Sequence, residues 1–148
     1  MITVRGEYLL HASPISVWPH IFDPASLVRL IPGCQQLEQV SPGEYQGQIR
    51  IGIPAVGGTY RTLVKVTEQR QPEYCSFDGE VDGPTGIIKG TVTFALREMP
   101  GETTMLEYEG RAMISGALGT LSSRLIENVA RTLIKQGLAG FDKELQSR

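Results

Sequence analysis

The first residues alternate. Ile2, Val4, Gly6, Tyr8 and Leu10 interleave with Thr3, Arg5 and Glu7, a period of two that predicts a half-buried strand ending near His11. Ser13-Pro14 then supplies an N-cap followed by a proline at the first helical position, where its missing N–H costs nothing. Val17, Trp18, Ile21 and Phe22 give the apolar spacing of a short helix. Asp23-Pro24 repeats the start signal, Leu27, Leu30 and Ile31 continue it as a second short helix, and Pro32-Gly33 stops it.

From Cys34 onward the punctuation changes. Turn signals recur at Ser41-Pro42-Gly43, Pro54 through Gly58, Gln71-Pro72, Gly83-Pro84 and Pro100-Gly101, as in an antiparallel meander. Tyr45, Gly47, Ile49, Ile51 and Ile53 alternate with Gln46, Gln48 and Arg50, and Tyr60, Thr62, Val64 and Val66 with Arg61 and Lys65. Val92, Phe94 and Leu96 form another dry face, as do Leu106, Tyr108, Gly110, Ala112 and Ile114 against Glu107, Glu109 and Arg111. The alternation of Cys75, Phe77 and Val81 with Ser76, Asp78 and Glu80 is weaker and predicts a strand near a sheet edge. After Ser115-Gly116 the period becomes helical. Leu118, Leu121, Leu125, Val129, Leu133, Leu138, Phe141 and Leu145 form one stripe, with Arg124, Glu127, Arg131 and Lys135 mainly opposite. A helix from about Leu118 to Leu145 is about 40 Å long at 1.5 Å per residue, with Gly137 and Gly140 permitting a bend.

Strand, two short helices, a run of strands and one long helix is an α+β order. A single apolar helix cannot cover a flat sheet of that size, so the sheet is expected to curl around it. The predicted fold is a helix-grip: a curved antiparallel sheet of six to seven strands around a long C-terminal helix, with two short helices after strand one. The alternative is a flat α+β sandwich with the short helices plugging one end. At 148 residues the chain is expected to form one domain, 1–148.

Composition narrows the function classes. A net charge of −2 gives no basic footprint for nucleic acid. The longest stretch free of Lys, Arg, Asp and Glu, Tyr8 to Phe22, is interrupted by Pro14 and Pro19 and is too short and too polar to span a bilayer. The N-terminus lacks a basic segment leading into an apolar one. A cytoplasmic protein without an integral membrane segment is therefore expected. The only cysteines, Cys34 and Cys75, lie far apart and outside any CxxC pattern, which predicts free thiols.

Candidate chemistry is sparse. His11 falls at a strand end and His20 in a short helix, neither with an acid at supporting spacing. Asp78, Glu80 and Asp82 project from one strand face and read as solvated rather than cation-binding. No catalytic residue, no metal ligand and no cofactor is assigned, which points away from an enzyme. Tyr8, Tyr45, Tyr60 and Tyr108 each sit on the apolar face of a strand, where a buried hydroxyl needs a partner. Either backbone or water supplies it within a core, or a bound molecule supplies it within a cavity. The loop from Ile51 to Gly58 is apolar and glycine-rich but lacks the lysine and following helix of a phosphate cradle. It predicts a flexible lip, or a surface through which a purely structural partner could bind at Ile53 to Val56.

The run Ala12-Ser13-Pro14, Val17-Trp18, Phe22-Asp23-Pro24, Leu27 and Ile31-Pro32-Gly33-Cys34 resembles the N-terminal signature of the carbon monoxide dehydrogenase G-subunit family, part of the START-like superfamily of helix-grip proteins. Gly83-Pro84-Thr85-Gly86, Gly90-Thr91-Val92 and Ala112-Met113-Ile114-Ser115-Gly116-Ala117-Leu118 agree with it, so the resemblance covers nearly the whole chain. It implies an apolar cavity between sheet and helix, expected to be lined by Tyr8, Tyr45, Ile49, Ile51, Tyr60, Val64, Phe77, Phe94, Tyr108, Leu121, Leu125 and Leu133 and gated by Trp18, Ile53, Pro54 and Val56. It further implies a hydrophobic, quinone-like ligand and an accessory role beside a molybdenum hydroxylase-type redox enzyme. Longer members carry a membrane-seeking tail, and the sequence given stops at Arg148, which shifts the expectation from membrane anchor toward soluble carrier. The competing expectation is a polyketide cyclase or aromatase-like enzyme using the same cavity, which needs a polar pair such as His11 or Arg50 near a tyrosine. Oligomeric state is left open.

Overall fold

Seven antiparallel strands pair in the order β1-β7-β6-β5-β4-β3-β2. The computed structural model describes residues 1–31, 33–52 and 57–147. The strands are β1 (Ile2–Leu10), β2 (Cys34–Ser41), β3 (Glu44–Ile51), β4 (Gly58–Arg70), β5 (Tyr74–Gly83), β6 (Gly86–Met99) and β7 (Thr103–Ser115). Strands β2 to β7 form a meander in chain order, and β1 closes the far side by pairing with β7. Between β1 and β2 lie α1 (Pro14–Phe22) and α2 (Pro24–Leu30). Both begin as the sequence signals predict. The Ser13 hydroxyl accepts from the Ser16 N–H, the Asp23 carboxylate accepts from the Ala25 N–H, and each helix has a proline at its start.

Two expectations change. Strand β5 is the central strand, flanked by β4 and β6. Its alternation reads weakly because one inward position is a glycine, Gly79, while Ser76 on the other face is itself buried. The C-terminal helix is also interrupted at its start: a 3-10 turn at Ala117–Thr120 precedes α3 (Ser123–Gln146). Ser122 caps α3 by accepting from the Leu125 N–H, so Leu118 lies in the turn and Leu121 caps it, both outside α3. The helix runs unbroken through Gly137 and Gly140.

Register places Ile2, Val4, Gly6, Tyr8 and Leu10 of β1 opposite Ala112, Gly110, Tyr108, Leu106 and Thr104 of β7. These positions and their partners on β6, β5, β4 and β3 form the concave face. Two tyrosines lie flat along it because glycines make room. Gly6 stands opposite Tyr108, and a Cβ there would come within 2.5 Å of the Tyr108 hydroxyl oxygen. Gly83 likewise accommodates the Tyr60 ring. A main apolar cluster joins Leu10, Val17, Trp18, Ile21, Leu27, Phe94, Leu106, Leu138 and Phe141. A smaller one, around Ile49, Tyr60 and Leu118, takes in Val81, Ile88 and Val129.

Candidate functional site

The floor of the concave face is bare at its centre. Gly79 of β5 stands opposite Gly90 of β6, Gly90 opposite Ala112 of β7, and Gly110 opposite Val92. Four neighbouring positions thus offer nothing larger than a methyl group. A Cβ placed on Gly79 would meet only the Leu63 carbonyl oxygen, at 3.9 Å, and one on Gly110 would come no nearer than 3.8 Å to the Val92 side chain. Glycine inside a strand weakens it and marks a close approach by another group.

Val92 reports what lies above. It shares the inward face with Phe94 and Leu96, which are buried, yet it is itself 39% exposed. On an interior strand, between Phe77 and Gly110, a valine this accessible means that nothing packs down on it. The reason lies in how α3 sits. Its close backbone approaches are to β1 and α2, at one side of the concave face. Half-buried Ile126, Ala130 and Ile134 pack against the main cluster, and Val129 packs against the smaller one.

The predicted lining residues divide between the two apolar clusters. Ile49 and Tyr60 are buried in the smaller cluster, with Ile51 against it. Tyr45, Phe77, Phe94 and Tyr108 are buried in the main cluster, with Tyr8 and Val64 packed against its margin. The Tyr45 hydroxyl donates to the Phe22 carbonyl at 2.6 Å. Burial first, and the Asp23 carboxylate second, push its pKa up. The Tyr60 hydroxyl pairs with that of Thr85. Trp18 lies in the core, 5.0 Å from the Phe22 ring, and Phe22, Phe77 and Phe94 continue an aromatic row to the floor. Ile53, Pro54 and Val56 fall outside the described residues.

The helical contribution differs from the expected one. Leu121 packs on the smaller cluster, but Leu125 is 40% exposed and half-buried Leu133 lies outside both clusters. The inward stripe is Ile126, Ala130, Ile134, Leu138, Phe141 and Leu145, spaced by four, four, four, three and four. Starting α3 at Ser123 turns this row to the sheet and Leu125 and Leu133 to its flank.

Polar groups that sequence spacing did not connect meet in space. The His11 N–H donates to Asp142 Oδ1 at 2.7 Å, and its ring Nδ1 lies 2.8 Å from Oδ2. Gln146 Nε2 donates to the same carboxylate at 3.1 Å. His20 Nδ1 is 3.2 Å from Ser26 Oγ, which donates to Glu144 Oε1 at 3.3 Å, while Arg29 Nε sits 3.4 Å from Glu144 Oε2. Serine, histidine and acid invite a hydrolase reading, but Ser26 is 0% exposed and the acid touches the serine rather than the histidine. The geometry needed to activate a nucleophile is the reverse. These are fasteners between α3, α2 and the end of β1. The separation of 131 positions between His11 and Asp142 explains why no local pattern announced them. The glycine floor, by contrast, did leave a signal: glycines at inward-parity positions in three consecutive strands.

On the convex face, Asp78 accepts from the Thr91 hydroxyl, Glu80 faces Lys89 at 3.9 Å and Asp82 faces Arg61 at 3.4 Å. The acidic ladder is cross-strand pairing at the surface. Thr62, on the concave face, is the exception to polar satisfaction. It is 4% exposed, and its hydroxyl has no hydrogen-bond partner among the described residues.

Among the described residues no helix is long and apolar enough to cross a membrane. A family model described as the G subunit of carbon monoxide dehydrogenase (CoxG) matches residues 6–146. No curated protein matches the chain. The fold is similar to that of a conserved protein from Geobacillus kaustophilus, at 27% identity and a TM-score of 0.93, covering 99% of this chain and 96% of that one. It is also similar to a START superfamily protein from Mycobacterium smegmatis, at 9% identity and a TM-score of 0.78, covering 98% and 97%. A protein from Thermus thermophilus aligns at 16% identity and a TM-score of 0.72, over 98% and 97% of the two chains.

Proposed function

Because the chain belongs to the carbon monoxide dehydrogenase G-subunit (CoxG) family, we propose that it is a carrier rather than a catalyst. It holds an apolar, quinone-like molecule between the sheet and α3 and serves a molybdenum hydroxylase-type redox enzyme in the cytoplasm. The observation that carries this reading is Val92, 39% exposed in the middle of the concave face above a floor of glycines. A gap walled by aliphatic and aromatic side chains favours ligands that leave water for hydrophobic reasons. The cyclase reading would need a polar pair in that gap. His11 is instead engaged by Asp142, and Arg50 lies exposed on the opposite parity of β3.

Native mass spectrometry and solvent extraction of the purified protein, followed by thermal melting with added decyl-ubiquinone, test the proposal. A co-purifying lipid, or a melting temperature that rises with quinone concentration, is expected, since a ligand of the folded state stabilises it. A protein that carries no lipid and melts identically with and without quinone overturns the reading.

A further inference from the structure

Thr62 is out of keeping with its surroundings. Its lateral neighbours on the concave face are Gly47 of β3 and Val81 of β5, neither of which has a polar side chain to offer. Its hydroxyl is closed to water as well as unpartnered among the described residues. A buried donor left unmade costs free energy, and valine would fill the same volume without that cost. The hydroxyl therefore calls for a partner that the described chain does not supply.

Its position relative to the glycine floor suggests that partner. Val92 pairs with Phe77, and Gly79 follows two residues later. Gly79 pairs with Val64, and Thr62 precedes that by two. Val92, Gly79 and Thr62 therefore lie on one diagonal across β6, β5 and β4, in two steps of about 7–8 Å each. The middle position has no side chain, and space is open above it. A single χ1 rotation redirects a threonine hydroxyl. We propose that Thr62 is the polar anchor of the cavity. An apolar chain lies along the diagonal from Val92 over Gly79, and a carbonyl at its end accepts a hydrogen bond from the Thr62 hydroxyl. The ligand class is then an apolar molecule capped by a carbonyl, distinguished from a plain hydrocarbon. This rests on the cavity reading above.

The test measures binding of methyl octyl ketone and of decane, its hydrocarbon counterpart, to the full chain by displacement of an environment-sensitive dye. Wild type, T62V and T62S are compared. T62V is expected to weaken the ketone about tenfold and leave decane unchanged, while T62S keeps the ketone preference. Ligand-free T62V is expected to melt higher than wild type. If T62V binds the ketone as tightly as wild type does, or melts lower without ligand, the anchor is disproved while the cavity stands. If wild type binds neither probe, the cavity reading falls and the anchor with it.

Discussion

The two halves of α3 are built differently. Toward the C-terminus, Gly137, Leu138, Phe141, Asp142 and Leu145 are buried, and Asp142 and Glu144 fasten the helix to β1 and α2. Toward the N-terminus no residue from Ser123 to Arg131 is buried, and Leu125 is 40% exposed. One half is a packed anchor, and the other touches the core only through half-buried Ile126, Val129 and Ala130. Local stability follows buried apolar contact, so the first half should carry the fold while the second opens at low cost. The proposed carrier role needs both at once, because a ligand site sealed everywhere by core-grade packing would release nothing.

The sharpest contrast is kinetic. Cys75 lies in the main cluster with Phe141 and Leu138, and burial pushes its thiol up to about 12. Cys34 packs on the smaller cluster, and burial raises its pKa too, against the opposing effect of a backbone hydrogen bond at Gln36. At pH 8, iodoacetamide should modify Cys34 in the native protein and Cys75 only through global unfolding, because the thiolate is the reactive form. Peptide mass mapping over time reads both sites, and equal rates would remove the distinction. Folding raises the Cys75 pKa from 9.0, so its contribution to stability is complete below pH 9. It is lost as the pH climbs from there toward 12.

Equilibrium unfolding probes the same division. Phe141→Ala, in the anchored half, should cost about 3–5 kcal/mol in urea denaturation. Asp142→Ala should cost about 1–3 kcal/mol, since it strips the His11 N–H of its acceptor. Leu125→Ala, in the N-terminal half, should cost no more than about 0.5 kcal/mol. A Leu125 variant as damaging as the Phe141 variant would mean that α3 is uniformly packed.

Much of this architecture was legible in the chain. Period-two alternation with regular turn signals gave the meander, and Ser13-Pro14 and Asp23-Pro24 marked the two short helices at their starts. What misled was context. The weak alternation of β5 read as an edge because a central strand with an inward glycine looks, residue by residue, like a poorly buried one. The apolar stripe joined Leu118 and Leu121 to α3 because leucines keep their spacing across a break that only the Ser122 cap reveals.

Sequence by itself determined the elements, their order and the inward face of each strand, because alternation and capping are local and act over a few residues. It also placed glycines on that face. The tertiary structure decided what they mean: that Gly79, Gly90 and Gly110 fall side by side, that α3 packs against β1 and α2, and that Asp142 meets His11. Register and helix placement bring together residues dozens of positions apart. The free energy that selects them is summed over the whole core, so no short stretch of chain records it.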